Sequence, residues 1–241
     1  MIRFRLRGSF VVAAALLVSS GTARADKGVI KGKVVFKGDA ANYGRKTINT
    51  TKDPNCRKSK KKIGTYKVIL NKKSSPITVR NVLVYVKKGL GDRKFDAPKE
   101  PVVLTQFGCE YKPHVFGIMA GQTLTVKNGD PTNHNIHFLP KKNQEFNFTQ
   151  PKKGMTKDLT LIPEETFKVK CDVHPWMSCY MQVFDHPFFA VTGKDGTFTL
   201  NGLPPGKYVV EAWHETFGTK TLTVEVAVDE TKEADFTYQP E

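Results

Sequence analysis

Residues 165–184 read ETFKVKCDVHPWMSCYMQVF and predict two β-strands joined by a short loop. Alternation of side chains along a strand places Phe167, Val169 and Cys171 on one face and lysines on the other. The loop DVHPWM interrupts that pattern, and a second alternating run starts at Cys179. Two strands joined at this corner bring a cysteine, a histidine and a methionine to one place in a β structure.

These residue types point to copper chemistry. One thiolate, two imidazoles and a weakly bound thioether form the ligand set of blue-copper electron-transfer sites. Zinc prefers more thiolates or an open water position, and a lone methionine suits it poorly. The second imidazole must come from residues 120–138, AGQTLTVKNGDPTNHNIHF. That segment offers His134 and His137, which point to opposite faces of an extended chain, so only one is expected to reach the metal.

Residues 100–185 resemble the cupredoxins, and their ligand loop resembles that of the amicyanins, whose C-x2-H-x2-M spacing begins here at Cys171. The segment HNIHF also resembles the first-ligand segment of the amicyanins, in which the histidine before asparagine binds copper. The resemblance implies that His137 lies outside the site. It implies one copper ion with four ligands: His134, Cys171, His174 and Met177.

Residues beside the ligands are expected to affect the hydrogen bonding and the reduction potential of the site. Asn135 is expected to brace the two ligand loops through hydrogen bonds. Amicyanin-like loops carry Thr and Pro after the cysteine, whereas this chain has Asp172 and Val173. The N–H of Val173 can donate to the sulfur and favour Cu(I), and a charged Asp172 favours Cu(II). Their net effect on the potential therefore has no predicted sign.

The ligand loop also predicts where a redox partner docks. A histidine on such a loop commonly reaches the surface, so we expect electrons to pass through an exposed edge of His174. Pro175 and Trp176 are expected to form an apolar docking patch around it, and the alternative is that Trp176 only caps the site. Lysine-rich loops in the same segment predict an acidic partner.

The flanking segments share a second resemblance. GVIKGKVVFKG and NVLVYV, together with the later GKDGTFTLNGLPPGKYVVEAW, resemble the carboxypeptidase regulatory-like (transthyretin-like) β-sandwich. In that family the second strand leads almost directly to the DGTF hairpin, and here the cupredoxin-like segment intervenes. The whole chain likewise resembles bacterial secreted proteins that pair these two units.

We therefore predict an all-β chain in which a cupredoxin Greek-key sandwich at 95–185 is inserted into a discontinuous sandwich formed by 26–94 and 186–241. A tandem of three small pieces is the alternative. Strands are predicted at Val29–Phe36 and Val79–Val86. Alternation predicts a core for the discontinuous sandwich of Ile30, Val34, Phe36, Val82, Val84, Phe198, Leu200, Val209 and Val224.

Residues 1–25 are expected to be a cleaved export signal. Three arginines precede the apolar run Phe10–Val18, which is too short to span a bilayer, and Ala23-Arg24-Ala25 fits the small-x-small cleavage rule. No later segment is apolar enough to span. We therefore expect an exported protein, periplasmic in bacteria, without a transmembrane segment.

Four cysteines in an exported chain allow three disulfide connectivities. We assign Cys171 to copper and expect Cys179 to be a buried free thiol, because it faces the core. Cys56 and Cys109 remain, and an oxidising compartment predicts a disulfide between them. That bond would join the lysine-rich loop of the first flank to the inserted segment.

The charge and the number of histidines reduce the set of functions expected for this chain. The net charge of +15 falls to +11 once the four arginines of residues 1–25 are removed, but an exported chain with no nucleic-acid motif is not expected to bind nucleic acid. Single-electron transfer is the leading hypothesis. The alternatives are an envelope-associated binding or structural module, and copper delivery. An enzyme is not expected, since copper oxidases and nitrite reductases need further histidine-rich sites and this chain has 6 histidines.

Overall fold

The structure is a computed structural model that describes residues 27–51, 53–58 and 62–240, so the predicted export signal at 1–25 lies outside the described residues. The described chain is almost entirely β, which confirms the predicted all-β class. Its helices are a short 3-10 helix, Ala40–Asn42, and the four-residue α1, Pro54–Arg57. Across the described ranges, no helix is long and apolar enough to cross a membrane.

Short strands separated by glycine and proline turns account for the fold. In chain order they are β1 (Gly28–Phe36), β2 (Leu70–Asn71), β3 (Thr78–Val79), β4 (Leu83–Lys88), β5 (Val102–Gln106), β6 (Tyr111–Lys112), β7 (Val115–Met119), β8 (Leu124–Asn128), β9 (His134–Leu139), β10 (Asn147–Gln150), β11 (Thr156–Leu159), β12 (Glu164–Lys170), β13 (Ser178–Phe184), β14 (Phe189–Val191), β15 (Thr197–Leu203), β16 (Gly206–His214), β17 (Gly218–Val226), β18 (Thr231–Glu233) and β19 (Phe236–Tyr238).

Strands from the two ends of the chain pair with each other. One sheet has the order β15-β1-β3-β2, and β18 and β19 also pair with β1; the other has the order β14-β4-β16-β17. The antiparallel β1–β15 ladder places Ile30 opposite Leu200. Their side chains lie in one apolar core with Val34, Phe36 and other residues of both segments. We call these two sheets the flanking sandwich.

Two further sheets form what we call the inner sandwich. Their orders are β10-β9-β12-β13-β7 and β11-β8-β5-β6. Strands β9, β12 and β13 are adjacent, and antiparallel pairing places Val169 opposite Phe138 on one side and Cys179 on the other. All three of these side chains are fully buried. The alternation of residues 165–184 therefore points these side chains into the core. Pairing places β9, β12 and β13 side by side in the sheet.

Two local expectations were wrong. The predicted strand Val79–Val86 is split, because Asn81 adopts a left-handed conformation with φ 62 and the chain passes from β3 in one sheet to β4 in the other. Val209 is only partly buried, and its neighbours Tyr208 and Val210 face the core. The Pro204-Pro205-Gly206 turn fixes which residues of β16 point inward. Strand alternation alone shows that every second residue points inward, but it does not show which set does.

One glycine is required for close packing between the two flanks. Gly196 has φ 75 in the turn before β15, and a Cβ there would lie 2.4 Å from Cβ of Thr78. Oγ1 of Thr78 donates to the carbonyl of Asp195 at 2.7 Å. The Lys194-Asp195-Gly196 turn therefore docks directly onto β3, from the other flank of the chain.

Three described residues before the predicted inserted segment pack against the inner sandwich. Cys56 and Ile63 belong to the core that contains Leu104, Phe138 and Cys171, and Ile48 packs on it. These three residues follow β1 of the flanking sandwich in the chain and cover one end of the inner sandwich. The exact boundaries of the two units stay a prediction.

Candidate metal centre

The ends of three strands and one tight loop bring the predicted ligands together. His134 begins β9, Cys171 directly follows β12, and Met177 directly precedes β13. The loop between the strands is closed by two backbone hydrogen bonds, from Cys171 N to the carbonyl of Met177 at 3.1 Å and from Met177 N to the carbonyl of His174 at 2.9 Å. All four residues are at most 2% exposed.

The donor atoms of three of these residues converge. Nδ1 of His134 lies 3.1 Å from Nδ1 of His174, and Sγ of Cys171 lies 3.8 Å from the latter. One donor atom from each residue falls within 4.8 Å of the others. Met177 is buried in the same core as Cys171. Two nitrogens and a sulfur that meet in a buried pocket are a donor set that fits copper.

A carboxylate lies on the outer nitrogen of each imidazole. Nε2 of His134 is 2.9 Å from Oδ2 of Asp130, and Nε2 of His174 is 3.0 Å from Oδ2 of Asp53. An ionised carboxylate only accepts hydrogen bonds, so Nε2 of each ring must donate. In the neutral form of each ring, Nδ1 then carries the lone pair and faces inward, as a metal ligand requires.

Burial and hydrogen bonding shift the pKa values of these imidazoles and carboxylates in opposite directions. Burial lowers the pKa of His134 and of His174, but hydrogen bonds from the rings to carboxylate and sulfur outweigh it and raise both pKa values above the ordinary value. Burial likewise raises the pKa of Asp130 and of Asp53, but hydrogen bonds to the histidines and to backbone N–H groups bring both below the ordinary value. Both carboxylates are therefore charged at neutral pH.

The sulfur of Cys171 sits among donors. It accepts hydrogen bonds from the backbone N–H of Asn135 at 3.4 Å and from that of His174 at 3.3 Å. Burial raises the pKa of this thiol, but hydrogen bonds with the two histidines and these N–H groups lower it to about 6. Cys171 is thus a thiolate near neutral pH, which is the form that binds metal.

The N–H groups that reach the sulfur differ from the one expected. Val173 makes no hydrogen bond to Cys171 among the described residues, and its side chain is 46% exposed. The loop folds back so that the third residue after the cysteine, His174, presents its N–H to the sulfur. The predicted role of the Val173 N–H is therefore wrong.

Asn135 links the two ligand segments. Its Oδ1 accepts from the backbone N–H of Asp172 at 3.1 Å, and its Nδ2 donates to Asn147 Oδ1 at 2.7 Å. Asp172 itself pairs with Lys170 at 2.9 Å and with Nδ1 of His137 at 2.8 Å. His137 therefore lies in a surface ion-pair cluster and points away from the converging donors.

The predicted exposed edge of His174 is wrong. His174 is 2% exposed, because Asp53 and Sγ of Cys56, 3.6 Å from Nε2, cover its outer side. Trp176 is partly buried and donates from Nε1 to the carbonyl of Cys109 at 3.1 Å, whereas Pro175 is exposed. A cavity of about 580 Å³ lies over this face and is lined by Asn49, Thr51, Asp53, Val173, His174, Pro175 and Trp176.

The predicted disulfide is confirmed. Cys56 and Cys109 are bonded with their Cα atoms 5.7 Å apart, and Cys171 and Cys179 are free and buried. The bond fixes α1 beside His174. Sequence reasoning assigned no role to Asp53 or Asp130. No local pattern marks the contact of Asp53, since 121 residues separate it from His174, whereas Asp130 lies in the same segment as His134.

Comparisons with known proteins cover the two units separately. Residues 185–239 match the carboxypeptidase regulatory-like domain. Similar solved structures include a Cu(I) form of an amicyanin variant, with 21% identity over 42% of this chain and 98% of that chain and a TM-score of 0.32. A purple cupredoxin from Nitrosopumilus maritimus has 23% identity over 37% of this chain and 100% of that chain, with a TM-score of 0.30.

A Cu-containing nitrite reductase from Thermus scotoductus SA-01 has 19% identity over 39% of this chain and a TM-score of 0.32. The chain spans 26% of that enzyme's length. No curated protein matches the chain significantly. The structural neighbours are thus amicyanin and other cupredoxins, and the C-terminal flank is similar to the carboxypeptidase regulatory-like domain.

Proposed function

We propose that this chain is an exported mononuclear copper protein that transfers single electrons between redox partners. The observation that carries the proposal is the convergence of Nδ1 of His134, Nδ1 of His174 and Sγ of Cys171 in a buried pocket. Met177, at the end of the same loop, would complete the set as a weak axial ligand. When bound, copper supplies a one-electron couple between Cu(I) and Cu(II).

The protein's own residues support such a couple in three ways. The N–H groups of Asn135 and His174 stabilise negative charge on Cys171. The carboxylates hold the imidazole rings so that Nδ1 points inward. The ligands lie at the ends of paired strands, so the frame holds the same arrangement in both oxidation states and excludes water.

We also propose a docking face for the redox partner, which differs from the expected one because the ring of His174 is covered. Electrons would pass near the covered ring of His174, through the exposed surface of Val173 and Pro175 and the half-buried Trp176. The positive charge of the chain would steer an acidic partner to this face. We also propose that the flanking sandwich is one discontinuous carboxypeptidase regulatory-like domain that carries the inner sandwich.

Protein-film voltammetry on the copper-loaded full chain tests electron transfer. We expect a reversible one-electron couple that is retained over many cycles, with copper remaining bound. Rapid loss of copper to a competing chelator in the Cu(I) state would instead favour copper delivery. A chain that binds no copper would leave the binding or structural module as the function and would contradict the proposal.

A further inference from the structure

One contact to the metal centre comes from outside the cupredoxin-like segment. Oδ2 of Asp53 lies 3.0 Å from Nε2 of His174 and 3.2 Å from Oγ1 of Thr132. The other oxygen, Oδ1, accepts the backbone N–H groups of Asn55 at 2.7 Å and Cys56 at 2.8 Å, which caps α1. Both oxygens of this carboxylate are thus held in place.

The position of Asp53 is fixed covalently as well. Cys56, in α1, is bonded to Cys109 of the inner sandwich, and its sulfur lies 3.6 Å from Nε2 of His174. Asp53 therefore cannot swing away from the ring unless α1 moves. On the other imidazole, Asp130 occupies the equivalent place beside Nε2 of His134. The two outer carboxylates keep the two Nδ1 atoms 3.1 Å apart and facing each other.

We propose that Asp53 is a positioning residue, supplied by the segment before the inner sandwich, that directs Nδ1 of His174 toward copper and lowers the reduction potential of the ion. This inference rests on the proposed function. An anionic acceptor on Nε2 makes the imidazole a stronger electron donor, and a negative charge in a poorly solvated site stabilises the higher charge of Cu(II). Both effects favour Cu(II) over Cu(I).

The test is the Asp53→Asn substitution in the copper-loaded full chain. Asparagine keeps the size of the side chain and caps helices as well as aspartate does, so the substitution removes mainly the charge. We expect the ratio of Cu(II) to Cu(I) affinity to fall about tenfold, which raises the one-electron potential by about 59 mV. The copper count should stay at one per chain.

Asp229→Asn is the matched control, because Asp229 is an exposed residue in the turn between β17 and β18 of the flanking sandwich. Its potential should equal that of the wild type. If Asp53→Asn also leaves the potential at the wild-type value, the inference is wrong although copper binding stands. If the wild type binds no copper, the proposed function and the inference both fall.

Asp53→Ser guards against a folding defect, since serine also caps helices but is too short to reach His174. In this variant we expect the same rise in potential and faster solvent exchange of the His174 Nε2–H, measured by NMR of the reduced protein. A residue that only stabilised α1 would change neither the potential nor this exchange rate. Unchanged values in Asp53→Ser would overturn the inference.

Discussion

The inner sandwich buries more polar side chains than the flanking sandwich does. The inner sandwich buries a chain of polar groups, in which Asn128 donates to the carbonyl of Gln150 at 2.7 Å and Asp130 accepts from Gly108 and Cys109 at 2.8 Å each. The flanking sandwich is filled by aliphatic and aromatic residues, and Tyr238 satisfies its hydroxyl on the carbonyl of Ala212 at 2.9 Å.

This difference is expected if the flanking sandwich is a structural support and the inner sandwich carries the functional site. Buried polar groups destabilise a fold unless each finds a partner, so a fold that needs only stability has little use for many of them. The inner sandwich places two of them, Asp130 and Asn135, beside the converging donors of His134, Cys171 and His174. The flanking sandwich contains a buried carboxylate too, Glu211, but that group is paired with Lys87 at 2.6 Å and also bonds Tyr85.

Removing the disulfide should affect the two sandwiches unequally. The Cys56–Cys109 bond closes a loop with a sequence separation of 53 residues. A Cys56→Ser/Cys109→Ser double variant should therefore lose about 4 kcal/mol of stability, because the unfolded chain gains freedom. The loss should fall on the inner sandwich, to which Trp176 belongs, and less on the flanking sandwich, which contains Trp213.

Urea unfolding followed by tryptophan fluorescence separates these effects, since the chain has 2 tryptophans. Trp213→Phe leaves Trp176 to report on the inner sandwich. Trp176→Phe leaves Trp213 of β16, whose ring lies 5.2 Å from that of Tyr180 in β13, to report on the flanking sandwich and on its contact with the inner one. Equal shifts at both reporters would show that the sandwiches unfold as one unit. A shift below about 1 kcal/mol at Trp176 would contradict the predicted stabilisation.

The flanking sandwich should be sensitive to acid through His214. Burial lowers the pKa of this residue to about 4, and its Nδ1 accepts the backbone N–H of Thr216 at 3.1 Å. The unfolded chain takes up a proton as the pH falls through the ordinary value of 6.5, whereas the folded protein does not until about 4. Stability from this group is therefore complete above pH 6.5 and is lost as the pH falls toward 4, by about 3 kcal/mol.

His214→Asn tests this pH dependence, because asparagine can accept the same hydrogen bond but does not titrate. We expect the free energy of unfolding to fall less between pH 7 and pH 4.5 in the variant than in the wild type. Identical pH profiles would show that His214 is protonated without penalty in the folded state.

Alternation in β16 can be tested with two neighbouring valines. Val210 is fully buried and Val209 is not, so Val210→Ala should destabilise the flanking sandwich by about 2 kcal/mol and Val209→Ala by less than about 1 kcal/mol. Thermal unfolding of the two variants gives the comparison. A larger loss of stability in Val209→Ala than in Val210→Ala would show that Val209 faces the core, as the sequence analysis expected.

Local sequence patterns specified much of this molecule. Alternation identified the core faces on both sides of the loop that starts at Cys171, and counting cysteines under the expectation of export predicted the Cys56–Cys109 bond. Local patterns failed where a tertiary contact decides the outcome. The cover over His174 comes from Asp53, whose place depends on how α1 docks. The split of the strand at Asn81 follows from one left-handed residue that alternation does not detect.

Copper reconstitution of the full chain and of matched variants, with metal count and visible spectrum, tests whether His134, Cys171, His174 and Met177 form a copper site. We predict one copper per chain and an intense thiolate-to-copper band. His134→Ala and Cys171→Ser should abolish that band, whereas His137→Ala and Cys179→Ser, which change a surface histidine and the second buried thiol, should retain it. A colourless Cu(II) complex, or a band that survives Cys171→Ser, would contradict the account.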